Sequence, residues 1–346
     1  MYRGGERQSM EKLARPRWPS VALTYVGAVV GAGFASGQEI WQFFGRHGRL
    51  GLAGLALAGL FLFVGGYLAL EHGRNGVENI EALMTITFSP RIAVLAEGAT
   101  AGFLWVGLAT AVAGGGAAMR QFLAWPERVG QLVTLAAILA LAARGPKGVL
   151  AANALLVPYI VGLTLLVGVI APVSASGQGI GARGWFLSAF LYVSYNVFTG
   201  VVVLLTVGRN LSGHQESLAA AGMAALLMTG MAGIEWRVVT ALTGSPSLPM
   251  LAAAGATHAL LGLLYGVSLW VALLTTGVAQ AFVLLSRFGK RGLLGLVAIP
   301  WLAGVGFPTL VGTAYPVMGI FSAILWVPLI RGRCTARRHP PGRTFR

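Results

Sequence analysis

The chain has no aspartate, a single cysteine (Cys334) and only ten acidic residues in 346. One cysteine excludes an intrachain disulfide and a cysteine-built metal cluster. Without aspartate, any chemistry that needs that residue is excluded as well. Enzyme signatures are also missing: there is no Gly-x-x-x-x-Gly-Lys phosphate loop, no His-Glu-x-x-His zinc helix and no Gly-x-Ser-x-Gly elbow. Direct ATP use, zinc proteolysis and esterase chemistry are therefore not expected, and no enzymatic activity or organic cofactor is read from the sequence.

What is abundant is apolar surface. Hydrophobic residues make up 56% of the chain and charged residues 10%, more apolar surface than a soluble domain can hide, and the apolar runs approach the roughly 20 residues that cross a bilayer core. Runs and breakers together predict an all-α membrane protein of ten spans, at 20–45, 49–71, 91–120, 129–144, 148–171, 184–209, 214–234, 251–286, 291–307 and 309–331. The formal charge of +15 would suggest nucleic acid in a soluble protein. Here the basic residues cluster at the two ends and in short loops, so a lipid bilayer is the expected partner and nucleic acid is not. With ten spans, nineteen Lys and Arg fall on one side and six (Arg46, Arg49, Arg120, Arg128, Arg183, Arg237) on the other. This asymmetry predicts a cell-membrane protein with both termini cytoplasmic. Residues 1–19 are polar and basic, with no signal-peptide pattern, and residues 332–346 form a basic tail that suits topological anchoring.

The most informative segment lies in span 1. Gly27, Gly31, Gly33 and Gly37 interrupt it, and Ser36, Gln38 and Glu39 add polar groups. Glycine weakens a helix and a carboxylate is costly in hydrocarbon, so the pattern predicts a break that binds something. Exposed amides at Gly31, Ala32, Gly33, Phe34 and Gly37 could receive a substrate carboxylate, with Ser36, Gln38 and Glu39 beside them. Small-residue helix packing alone would also use such glycines. Glu39 could carry a proton, face a substrate ammonium, contact a gate, or simply sit as a carboxylate at a helix N-terminus.

Spans 1–5 and 6–10 match at a nearly constant offset of about 160 residues. The break near Gly31 corresponds to residues 194–200, the connector Glu81–Pro90 to Thr240–Pro246, and Pro158 to Pro316. Five is an odd number of spans, so the second copy enters inverted. The reading is a 5+5 repeat, 20–171 and 184–331, with spans 1 and 6 both discontinuous. Ser194, Tyr195, Asn196, Phe198 and Thr199 would fill the second break. Trp105 and Tyr315 could cap the pocket, and His258 reads as packed or interfacial.

Gly31 to Ile40, together with ten spans and this length, resembles the YkvI-type membrane transporters of the amino acid, polyamine and organocation superfamily, over roughly residues 18–331. The resemblance implies a LeuT fold, alternating access and a small organic solute, with an amino acid or related zwitterion the foremost expectation. Ala272, Thr275 and Thr276 in span 8, with the carbonyls of Gly27 and Val30, are similar to a sodium site of that fold, which implies sodium as the coupling ion. Phe34 stands where a second ion would need an amide ligand, so one cation site is implied. Two alternatives stay open: proton coupling through Glu39, and a ligand-sensing subunit of the same fold. Substrate identity, direction of transport and oligomeric state are not legible.

Overall fold

The computed structural model describes residues 17–144, 147–172, 183–242, 246–289 and 295–336; the side chains of 90, 93–97 (Glu97 included), 99–100, 147–157 and 333–336 lie outside the description. Span 1 is three pieces, α1 (Trp18–Val29), α2 (Ala32–Ala35) and α3 (Gln38–Phe43). They are followed by α4 (Arg49–Arg74), the short α5 (Ile80–Thr85), α6 (Pro90–Leu123), α7 (Glu127–Ala142) and α8 (Lys147–Ile170). The second half holds α9 (Trp185–Gly208), α10 (His214–Val239), α11 (Pro249–Thr257), α12 (Ala259–Phe288), α13 (Ile299–Ala303), α14 (Phe307–Ser322) and α15 (Trp326–Ala336). Six helical stretches among the described residues are long and apolar enough to cross a bilayer: Arg49–Arg74, Ala101–Leu123, Trp185–Gly208, His214–Val239, Ala259–Phe288 and Phe307–Gly332.

Three expectations need correction. Span 6 is not discontinuous, since α9 runs unbroken from Trp185 to Gly208. Its polar side chains are satisfied on the helix itself: Ser194 Oγ donates to Phe190 O, Asn196 Nδ2 to Tyr192 O and Thr199 Oγ1 to Asn196 O, at 2.8–2.9 Å. With one interior glycine and this back-bonding, nothing forces the backbone open. Span 8 is split. His258 leaves helical geometry (φ −162°, ψ 137°), and its Nδ1 accepts from Leu260 N at 3.2 Å, so the histidine caps the start of α12. Span 9, expected over 291–307, is not one continuous helix: residues 295–296 are helical, 297–298 turn, and the short α13 follows with Pro300 in its first turn; 290–294 lie outside the description.

Two groups of helices position the site. In the first, α4 packs on α9 and α10, and α1 packs on both α9 and α10. In the second, α6 packs on α12, α7 and α13, with α7 also on α12. Small residues allow the close crossings: a side chain at Gly73 of α4 would run into the Leu205 carbonyl of α9, and one at Gly208 into the Leu70 carbonyl. Reciprocal backbone contact of this kind is the usual means by which helices associate tightly where the hydrophobic effect offers little. The α2–α3 segment lies where the groups meet, with α3 against α10 and α14 and α2 against α12.

Candidate functional site

Span 1 opens at two places. At the first, Val30 (φ −77°, ψ 86°) and Gly31 (φ −99°, ψ −173°) leave the helical region. A side chain at Gly27 or Gly31 would meet nothing within 4 Å, so the backbone is accessible there. The second is Gly37, whose φ of +78° is left-handed. Its Cα faces α10 and α11 so closely that a Cβ would lie 2.8 Å from Met250 and 3.0 Å from Val239. Helix ends leave carbonyls without intrahelical donors, and here neighbouring elements supply them. Met250 N donates to Ser36 O at 3.0 Å, while the Tyr265 hydroxyl donates to Ala35 O. Ser36 Oγ donates to Gly33 O at 2.6 Å and accepts from Gln38 N at 3.1 Å, which bridges the two short helices.

Glu39 stands in the first turn of α3 and is buried. Its side chain folds back over α2, so that Oε1 occupies the space a side chain at Gly33 would need. Oε2 accepts the Tyr195 hydroxyl of α9. The Tyr195 ring lies 5.1 Å from Tyr315, 5.7 Å from Tyr192 and 5.9 Å from Phe43, centroid to centroid. None of the ion pairs among the described residues involves Glu39. A carboxylate held this way is an anion without a basic partner, in a medium where an unpaired charge is expensive. The arrangement suits a positively charged group arriving from outside the chain.

The structure brings together only part of the expected set. Glu39 meets Tyr195, and its Oε1 lies over Gly33 beside the Tyr315 hydroxyl of α14, while Gly37 faces Met250 and Val239 and Ser36 bonds to Gly33 and Gln38. Phe34 is buried. Ser194 points elsewhere, accepting Trp326 Nε1 at 3.1 Å. Asn196 is buried and tied to its own helix, Thr199 is exposed, and Phe198 packs edge-on against Phe103 at 4.7 Å. Trp105 packs over Gly295. In α12, the Thr275 and Thr276 hydroxyls both donate to Ala272 O, at 3.0 and 2.8 Å. Those three oxygens are thus clustered on one helix.

Glu235 of α10 was missed by the sequence reading. It is fully buried, and neither carboxylate oxygen has a hydrogen-bond partner. Ending span 7 at residue 234 hid it. The signal was the continuing apolar pattern of Trp236, Val238 and Val239, since the helix in fact runs to Val239.

No family model matches the chain. It is 27% identical over 211 residues to the uncharacterized membrane protein YkvI of Bacillus subtilis, a match spanning 56% of this chain and 58% of that one. It is 26% identical over 337 residues to the uncharacterized protein YyaD of the same organism, covering 89% of this chain and 94% of that protein. Among solved structures it resembles Mhp1, a nucleobase-cation-symport-1 family transporter in a closed conformation with bromovinylhydantoin bound. The TM-score is 0.52 at 15% identity, with 92% of each chain covered. That likeness carries the fold. The chain is similar to the membrane protein YkvI, and its helices share the fold of Mhp1.

Proposed function

We propose that this protein is a secondary active transporter of a small organic solute, an amino acid or related zwitterion, working by alternating access in the cell membrane with both termini cytoplasmic. The observation that carries the reading is Glu39, a buried carboxylate with no basic partner, set at a doubly broken helix where two helix groups meet. Glu39 receives the substrate ammonium. The amides of the first turn of α2, Ala32, Gly33 and Phe34, receive its carboxylate, because those of Gly31 and Gly37 are bonded to Val29 O and Phe34 O, contrary to the sequence expectation; the unpartnered buried Oε1 of Gln38, an acceptor, suits a donor group of the ligand. The group of α1, α4, α9 and α10 rocks against that of α6, α7, α12 and α13, and substrate bound between them is exposed to one side at a time. Sodium at Ala272, Thr275 and Thr276, completed by the carbonyls of Gly27 and Val30, provides the coupling ion.

The 5+5 inverted repeat, residues 20–171 and 184–331, is part of this reading. In its support, each half has a long second helix, then a short helix (α5 or α11), then a long third one, and each holds a proline in its last long helix (Pro158, Pro316).

The test is a thermal-shift screen of the purified protein against amino acids, amines and nucleobases, run in sodium and in potassium. Uptake of any stabilising compound into proteoliposomes follows. Stabilisation by a zwitterion in sodium, with uptake driven by a sodium gradient, is the expected result. Binding without any uptake, under any ion gradient, would replace the transporter reading with that of a sensor.

A further inference from the structure

Glu235 lies near the end of α10, entirely shielded from solvent, and both of its oxygens are without hydrogen-bond donors. The groups whose fields reach it are Glu39 from α3, Tyr192 from α9 and Tyr265 from α12. Glu39 adds a like charge, and the Tyr265 hydroxyl is already engaged with Ala35 O and Thr164 Oγ1. Among the described residues no basic side chain forms an ion pair with it, and at the end of α4 beside it, where Gly51 adjoins Trp236, Arg49 is exposed. On α1, the Tyr25 hydroxyl donates to Leu62 O. On α4, Arg74 is paired with Glu71 at 2.7 Å and His72 is bonded to Leu329 O. Arg237, two residues on, donates to the carbonyls of Gly168 and Val169 on α8.

Unlike Glu39, which has the Tyr195 donor, an ionised Glu235 would be a buried charge with neither a donor nor a counter-charge, which is strongly unfavourable. A cation must neutralise it. A metal ion needs several ligands, and among the described residues no cluster of three or more His, Cys or Glu side chains could hold one, while nothing donates a hydrogen bond to either oxygen of Glu235. A proton needs only one oxygen.

We propose that Glu235 is a proton-binding site, occupied while α10 is packed against α3 and emptied to water when the two helix groups separate. The proton comes from water and returns to water; no electron moves, and the site passes from charge −1 to neutral on loading. That it empties during a transport cycle rests on the transporter reading; that it is loaded in this packed state does not.

The experiment is infrared spectroscopy of the purified full-length protein at neutral pH in ordinary and heavy water. It is applied to wild type, Glu235→Gln and Glu39→Gln. A carboxylic-acid carbonyl band that shifts in heavy water, persists in Glu39→Gln and disappears in Glu235→Gln is the expected result. Absence of the band in wild type, or its survival in Glu235→Gln, would overturn the proposal. Should Glu235→Gln not fold, Glu235→Met, an apolar side chain of similar length, takes its place. Failure of both neutral replacements to fold would also overturn the proposal, because a proton-loaded carboxyl is itself neutral and tolerates such exchange. If the band behaves as expected but the wild type moves no solute, the site stands and the transporter reading fails.

Discussion

Replacing Tyr195 by Phe removes one oxygen atom from the centre of the site and keeps the ring that packs between Tyr192, Tyr315 and Phe43. The lost atom is the donor to Glu39 Oε2. Both residues are buried, with Tyr195 and Glu39 each 5% exposed, so water cannot take over the role. A hydrogen bond to a charged group contributes about 1.5–3 kcal/mol, and a buried acceptor stripped of its donor bears its own desolvation penalty. The variant should therefore unfold more easily by about 2–3 kcal/mol, which for a chain of this length corresponds to a lowering of Tm by roughly 3–4 °C. Glu39 Oε1 sits over Gly33, so freeing Oε2 also loosens the side chain proposed to receive the substrate ammonium, and on that proposal substrate affinity should fall alongside stability. Thermal unfolding in detergent, with and without a stabilising substrate, measures both effects. Pairing the change with Glu39→Gln in a double-mutant cycle isolates the contact. If the two changes are additive to within about 0.5 kcal/mol, the hydroxyl and the carboxylate do not act on each other and the description of the site is wrong.

Three further outcomes follow from the same geometry. Gly33→Leu places a side chain where Glu39 Oε1 lies and should abolish substrate binding in a protein that still folds, whereas Gly59→Leu meets Thr229 of α10 and should mainly lower yield and Tm; retained affinity in folded Gly33→Leu contradicts the site. Thr275→Ala with Thr276→Ala removes two of about five proposed ion ligands, each contact being worth on the order of 1–3 kcal/mol. Sodium dependence of uptake or of ligand stabilisation should then vanish, and wild-type activity indistinguishable in sodium and potassium would refute the ion assignment. Glu39→Gln should impair substrate binding without changing the driving ion; a steep wild-type pH dependence of uptake that disappears in this variant, with substrate exchange intact, would make Glu39 the proton carrier instead.

Much of the architecture was legible in the chain because it depends on local pattern. The apolar runs announce the long helices α4, α6 and α9 at nearly their observed limits, whereas α10 runs five residues further than expected, α12 begins eight later and α14 ends nine sooner. Four glycines around Ser36 announce the interruption of span 1, since backbone freedom is a property of the residue itself. Polarity without glycine misled in span 6: a sequence cannot say whether Ser194 and Asn196 open a helix or bond back to it, and the carbonyls of Phe190 and Tyr192 decided that. His258 was equally ambiguous until its ring nitrogen was found at the start of α12.

What the sequence determined by itself is that this is a helical membrane protein with a broken first span and an acidic residue beside the break. Composition and glycine placement suffice for that, because they act within one helix. Only the tertiary structure decided which groups share the site. Tyr195 and Tyr315 reach the surroundings of Glu39 from helices distant in the chain, and Glu235 becomes a buried acid without a hydrogen-bond donor only because α10 packs against its neighbours. Burial and pairing are relations between helices, so neither is written in any one of them.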